Sequence, residues 1–356
     1  MGGFILLEVK SLLIIYSKTD ADFEGYGLGV LENAYNVKIK EVINGEYLLS
    51  FSIPINDEKF ALIEPLGFVK AEEQLFNIKK IEESNDGKLI ANISCEHISH
   101  DLATCKFIPR IQHYGVSPTT ILTESLAGTP FTLGDVEIST LTDIDLSKVS
   151  PTDVIMKVIE NVGGELERDN YTVHLRSKRG NNNGVQFRVG KNIQSIKRET
   201  DTSELVTRLY PFGKDDLDIS TVNDGKHYID SQYINNYATP YIVHNDYKDI
   251  EDPTELKNKA LGEWSTVDVD GIDKPKITYT CSIIELKKLT EYGDIEAFSI
   301  GDTIKIIDET LGFDTLQRIV EYSYYPFEPE KSSVVLTNVK AENYKSGTLS
   351  GIMSNI

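Results

Sequence analysis

Val37, Ile39, Glu41 and Ile43 share one parity, Asn44-Gly45 interrupts, and Tyr47, Leu49, Phe51 and Ile53 then alternate with Leu48, Ser50 and Ser52. A period of two marks strands with one buried face, and Asn-Gly accepts the positive φ angles of a tight hairpin turn. Pro54 ends the second strand because it has no N–H to give a ladder. The pattern repeats from Phe76 to Glu83, through Ser84-Asn85-Asp86-Gly87, and back along Leu89, Ala91, Ile93 and Cys95. Two such hairpins within the first hundred residues predict a small antiparallel barrel or sandwich.

The period then changes. Ser117-Pro118 reads as an N-cap with proline at the first helical position, opening a helix to Leu126 that closes near Gly128. Ser150-Pro151 repeats that punctuation ahead of Val154, Ile155, Val158, Ile159 and Val162, an i, i+3, i+4 stripe stopped by Gly163-Gly164. Short strands follow at Tyr171 to Arg176 and Val185 to Val189, and the basic, polar run Lys178 to Gly184 between them predicts an exposed tip. A strand from Leu205 to Tyr210, a tyrosine-rich stretch from Tyr228 to Tyr247, and a helix from Pro253 to Trp264 capped by Asp252 come next. Strands return at Thr278 to Ile284, Thr303 to Ile307, Gln317 to Tyr324 and Ser333 to Val339, and Ser346 to Ile356 reads as a loose tail. The expected class is α+β, mainly antiparallel β, with a few helices inserted between two β-rich ends.

Charge narrows the function. A formal net charge of -20 repels phosphate backbones and anionic headgroups, which argues against tight nucleic-acid binding and stable membrane association. The apolar run Phe4 to Tyr16 lacks a basic flank, is broken by Glu8 and Lys10, and has no cleavage site, so no export signal is read there. Cys95, Cys105 and Cys281 form neither an even framework nor a CxxC pair, as in proteins folded in a reducing cytoplasm.

Motifs that carry chemistry are mostly missing. Gly25-Tyr26-Gly27-Leu28-Gly29 misses the spacing of a dinucleotide fingerprint and reads as a turn. His97 and His100 stand three apart at a strand end, without the second ligand pair that a zinc site needs. Asp268-Val269-Asp270-Gly271-Ile272-Asp273 places its glycine too early for an EF-hand and has no closing Glu, so it reads as an acidic turn. No Gly-x-Ser-x-Gly elbow occurs. Tyr228, Tyr233, Tyr237, Tyr241 and Tyr247 are candidates for a carbohydrate groove or protein interface, or are ordinary half-buried tyrosines. No catalytic, cofactor-binding or metal-binding residue is assigned, and no cofactor is expected.

The order of segments carries a resemblance. Asn44-Gly45-Glu46-Tyr47-Leu48-Leu49-Ser50-Phe51-Ser52-Ile53-Pro54, Cys95 to Leu102, Arg208 to Lys214 with Asn223 to Asp230, Ile300 to Ile306, and Arg318 to Glu321 are together similar to the phage tail hub family. That family includes the amino-terminal part of tail-associated lysins, known as prophage tail endopeptidases, and is related to the baseplate hub of contractile tails. The resemblance implies a first hub β-barrel over 1–100, an inserted α+β domain over 101–200, a middle segment over 201–275, a second barrel over 276–345 and a tail over 346–356. It implies a structural hub in the virion's tail tip, assembled in the host bacterial cytoplasm as a homotrimeric ring. That ring would continue the tail tube and join the distal tail and tape-measure proteins to fibre or tip proteins, with DNA only passing through its lumen. The lysins' peptidoglycan-cleaving domain lies beyond the hub, so the resemblance carries architecture and no peptidase. A cell-wall hydrolase would instead show a cleft with a nucleophile and base or a metal. A carbohydrate-binding adhesin would show a groove lined by tyrosines.

Overall fold

The computed structural model describes residues 12–266, 269–283 and 297–338. The Asn44-Gly45 hairpin belongs to the first of two curled β rings. That ring contains β1 (Ile14–Tyr16), β2 (Gly29–Val30), β3 (Tyr35–Val42), β4 (Tyr47–Pro54), β5 (Phe68–Ala71), β6 (Gln74–Asn85) and β7 (Leu89–His97). Their lateral order is β3-β4-β7-β6-β5-β1-β2, and residues 31–34 lead the chain from β2 back to β3. Asn44 and Gly87 take the left-handed φ angles, +53° and +73°, that the two turns require. The inward parity of β3, β4 and β7 (Val37, Ile39, Leu49, Phe51, Ile53, Ile93, Cys95) meets Ile15, Val69 and Phe76 in one core.

A mixed unit follows: β8 (Ile108–Val116), α1 (Pro118–Leu126), β9 (Thr132–Val136), β10 (Thr142–Val149), α2 (Pro151–Val162), β11 (Glu165–Asp169) and β12 (Thr172–Arg176). β8 and β10 form an antiparallel ribbon, while β12 joins β11 antiparallel and β9 parallel. Ser117 caps α1, and a reciprocal Ser150–Asp153 capping box starts α2, which ends at Gly163 with φ +76°. The stripe Val154, Ile155, Val158 and Ile159 is buried against Ile121, Leu122, Ile144, Leu166 and Val173.

The second ring begins with β13 (Gln186–Arg188) and β14 (Ile193–Asp201), offset from each other by residues 189–192 and one parallel bridge, Val189 to Ile193. A satellite of β15 (Arg208–Phe212), β16 (Ile229–Asp230), β17 (Ile242–Asp246) and α3 (Pro253–Leu261) comes next, with Leu209, Ile219, Leu256 and Ala260 as its centre. The chain then completes the ring with β18 (Lys276–Ile283), β19 (Thr303–Asp308), β20 (Phe313–Tyr324) and β21 (Ser333–Thr337). Lateral order is β14-β18-β21-β20-β19-β13, and the offset returns it to β14. Phe187, Cys281, Ile304, Ile306, Ile319, Val334 and Leu336 fill the interior.

Among the described residues both rings belong to one 13-stranded sheet, because the end of β20 pairs antiparallel with β3, Glu321 to Val42 through Tyr324 to Ile39. Two expectations change. Residues 186–201, expected at the end of the 101–200 insert, are strands of the second ring. Their partners β19 and β18 lie 75 to 119 residues downstream, where local patterning cannot point. The strand expected at Leu205 to Tyr210 is shifted to Arg208–Phe212 and runs through Pro211. Arg208 N and Phe212 O bond toward β17, so Leu209 and Pro211 turn the other way, where β16 reaches only Leu209 and no ladder needs the missing N–H. The Lys178 to Gly184 run is exposed as expected, save for Arg179, whose side chain turns inward and is 11 % exposed. Ile284, Val339, the 346–356 tail, Asp268 and most of the Phe4 to Tyr16 run lie outside the described residues.

Candidate functional site

The two rings and the mixed unit meet around a cluster of buried charge. Asn44, held left-handed in the hairpin turn, uses its side chain to dock β11: its Nδ2 donates to Gly164 O at 3.1 Å and its Oδ1 accepts from Leu166 N at 2.7 Å. Arg168, two residues along β11 on the same face, is 1 % exposed and donates to Gly45 O at 2.7 Å and Val42 O at 3.2 Å. Its guanidinium lies 5.2 Å from the Tyr47 ring centre, and Tyr47 stacks on His97 at 4.4 Å.

Glu41 projects from β3 into this junction and accepts from Arg179 Nη1 at 2.7 Å. Arg179 N donates to Glu165 Oε2 at 2.7 Å, and Glu165 takes a two-pronged pair of bonds from Arg318 at 2.5 and 2.6 Å. Arg318 also donates to Gly301 O at 2.8 Å and Arg179 O at 2.7 Å, tying β20 to the mixed unit through five-donor guanidinium geometry. The backbone passes close here. Gly180, at φ +74°, would place a Cβ 2.1 Å from the Gly301 carbonyl carbon, so no other residue fits without displacing that turn. Asp302 completes the crossing by accepting from Asn181 N at 2.6 Å and Ser299 N at 2.8 Å.

Burial alone would lower the pKa of both deep guanidiniums. For Arg168 burial prevails over Glu41 and the pKa falls, whereas for Arg179 burial is offset and exceeded by Glu41, Glu167 and Glu165 together and the pKa rises. Above the cluster opens a cleft of about 1020 Å³, with Glu41, Tyr47, Arg179, Phe298, Tyr322 and Tyr324 in its wall. Its carboxylates Glu137 and Glu167 are both held by Arg176, at 3.1 and 2.5 Å. Glu41, Glu137 and Glu167 are thus engaged by arginine, an arrangement suited to holding elements together rather than to moving protons.

The residues singled out from the sequence lie elsewhere or serve the framework. His97 Nδ1 contacts Ser99 Oγ at 2.9 Å and Nε2 contacts Gln74 Oε1 at 3.1 Å; His100 is buried, and its Nε2 has no partner among the described residues. Among the described residues, no three His, Cys, Asp or Glu converge as metal ligands. Asp273 is fully buried and accepts from Ser231 Oγ at 2.5 Å and Ser265 N at 2.7 Å, locking the satellite's end, while Asp270 pairs with Lys274. The tyrosines are divided among separate contacts: Tyr228 with Tyr210 and Arg208, Tyr233 with Lys274, Tyr237 with Tyr241, and Tyr247 with Glu263. Burial pushes the Cys281 thiol up to about 12 and raises those of Cys95 and Cys105.

Residues 13–97 match the family described as prophage endopeptidase tail N-terminal domain, and residues 181–343 match prophage endopeptidase tail. Among solved structures, the chain is similar to prophage tail protein gp18 from Listeria monocytogenes, with TM-score 0.66 and 17% identity over 97% of this chain and 98% of that one. It is also similar to the 43 kDa tail protein of prophage MuSo2 from Shewanella oneidensis, with TM-score 0.65 and 11% identity over 93% of this chain and 98% of that one. A chain of the Francisella PdpA-VgrG complex matches with TM-score 0.51 and 9% identity over 95% of this chain and 59% of that one. No curated protein sequence matches.

Proposed function

Since the chain belongs to the prophage endopeptidase tail family, we propose that it is the structural hub of a phage tail tip, working as a homotrimeric ring. Membership makes it a tail component of the virion. The ring, its continuity with the tail tube and its contacts with distal tail, tape-measure and fibre or tip proteins are the finer parts of this reading. So are its assembly in the host cytoplasm and its division into two barrels, a mixed insert and a satellite.

One observation carries the proposal: β3 and β20 fuse two β rings side by side, and the Arg179–Glu165–Arg318 cluster fixes their junction. Three such copies would set six barrels around a bore. The net charge of -20 supports a lumen that phosphates slide past; an electrostatic map of the assembled ring with a neutral or positive bore rejects that part. We assign the chain no catalytic step, because the carboxylates Glu41, Glu137 and Glu167 of the cleft are engaged by arginine and the thiols are pushed away from ionisation. Electron cryomicroscopy of purified tails tests the hub directly. The expected density is a threefold ring at the tube's end containing this chain; its absence from the tip, or a symmetry without three copies, overturns the reading. A cell-wall zymogram of the purified chain is expected to show no clearing.

A further inference from the structure

The end of β11 and the Asn170-Tyr171 turn after it are fastened to the first ring at two points. One is the β3–β4 hairpin, where buried Arg168 donates to Gly45 O and Val42 O. The other is the start of β6. Gln74 Nε2 donates to Asp169 Oδ1 at 3.0 Å, Gln74 Oε1 accepts from Asn170 N at 3.1 Å, and Leu75 N donates to Asn170 Oδ1 at 2.8 Å.

His97, at the end of β7, touches both fastenings. Its ring is stacked on Tyr47 at 4.4 Å, Tyr47 faces the Arg168 guanidinium at 5.2 Å, and its Nε2 lies 3.1 Å from Gln74 Oε1. The protonation of the ring follows from these partners. A backbone N–H only donates, so Gln74 Oε1, which takes the Asn170 N–H, is an acceptor and His97 Nε2 must carry a hydrogen. For the same reason Nδ1, which takes the Ser99 N–H at 3.2 Å, is bare. The docked state therefore holds His97 neutral, and it is fully buried.

A second proton has no place in this joint. From β11 the charge that faces His97 is Arg168, itself a cation, and from the helical turn Ile98–Ala103 it is His100. Glu41 of β3 is 3.7 Å from Arg168 but is bonded to Arg179, and Asp169 is bonded to Gln74 and Asn170. Glu96 alternates to the other face of β7, toward Lys79 and Asp101, which pair at 2.6 Å. Arg168 Nε and His100 Nε2 already lack an acceptor among the described residues.

We propose that His97 is a proton-operated latch: a second proton at Nδ1 makes it a buried cation against Arg168 and frees the end of β11 and the Asn170 turn from the first ring. The Ser99 N–H loses its acceptor, the two cations separate as the strand end carrying Arg168 lifts, and water reaches the imidazolium. Leu75, Ile98 and Leu102 stay packed in the mixed unit's core, so the unit loosens at this edge without leaving the ring. The joint is rigid at neutral pH and yields in acid.

Native-state hydrogen exchange of the full chain tests this at the amides of Leu75 and Asn170, whose hydrogens are donated across the joint. An opened state that takes up one proton near pH 6.5, while docked His97 does not, gains about 25-fold in population between pH 7 and pH 5. Protection of both amides, corrected for intrinsic exchange, is expected to fall by that factor. The opening exposes little surface, so low urea is expected to leave it unchanged while it speeds exchange in β4 and α2. His97→Gln keeps a donor for Gln74 and does not titrate, and is expected to remove the 25-fold change. Equal protection of the two amides at both pH values, or exchange that follows β4 and α2 in urea, overturns the latch. A folded His97→Gln chain with the native pH dependence overturns it too. If that variant does not fold, the two readings on the native chain decide alone.

Discussion

Glu165 and Arg318 are joined across the junction with side chains 6 and 13 % exposed. Removing one partner of a buried ion pair strands the other without water, at a cost of about 3–5 kcal/mol. Arg318→Ala is therefore expected to lower the unfolding free energy by about that amount in urea titration. A loss under about 1 kcal/mol would make the pair an ornament of the surface. The histidines give a second residue-scale effect. Burial, reinforced by Arg168, holds the His100 pKa down to about 3 and His97 well below its usual value. The unfolded chain takes up protons near pH 6.5 while the folded chain does not, so both groups favour the native state fully above that pH. As the pH drops below 6.5 toward the folded values this stability is lost, by about 2 kcal/mol for His100 at pH 5, with His97 acting in the same direction. Comparing urea midpoints at pH 7 and pH 5 should show a steeper loss for the native protein than for a His97→Gln, His100→Gln variant. Equal losses would mean the rings are already wetted or charged.

Elements whose signals are local were legible before any coordinates. Ser150-Pro151 and Gly163-Gly164 bracket α2, and the observed helix runs Pro151–Val162 with both halves of its capping box made. Ser150→Ala should cost about 1 kcal/mol in thermal or urea unfolding, and Ser150→Thr much less; equal effects would show that the packed stripe alone sets the start. The hairpins at Asn44 and Gly87 were legible for the same reason, since a turn's φ demand is written in two residues. β14 was not. Only Ile193 among its nine residues is buried, so no parity betrays it, and its pairing with β18 comes from 75 to 90 residues away. The junction was half legible. Glu41 stands on the apolar parity of Val37, Ile39 and Ile43, a position where a carboxylate needs a buried cation, but nothing local identifies Arg179 as that cation. The basic run around Arg179 points instead to solvent, because charge composition reports hydration and not the close backbone approach at Gly180 and Gly301.

At the scale of the molecule, the negative charge that repels phosphate backbones also opposes contact between copies of the chain. Each copy carries -20, so copies approaching one another repel over a range set by ionic strength, about 8 Å at physiological salt and about 30 Å at 0.01 M. Ion pairs between copies act only at contact, and exposed pairs such as Lys80–Glu82 and Lys197–Glu199 are weak. Long-range repulsion therefore exceeds the local attraction in dilute buffer, and screening removes more of the former than of the latter. Self-association measured by sedimentation is expected to rise as salt is brought from low to physiological strength. An association that instead falls steadily with salt would mean that opposed charge patches hold the copies together.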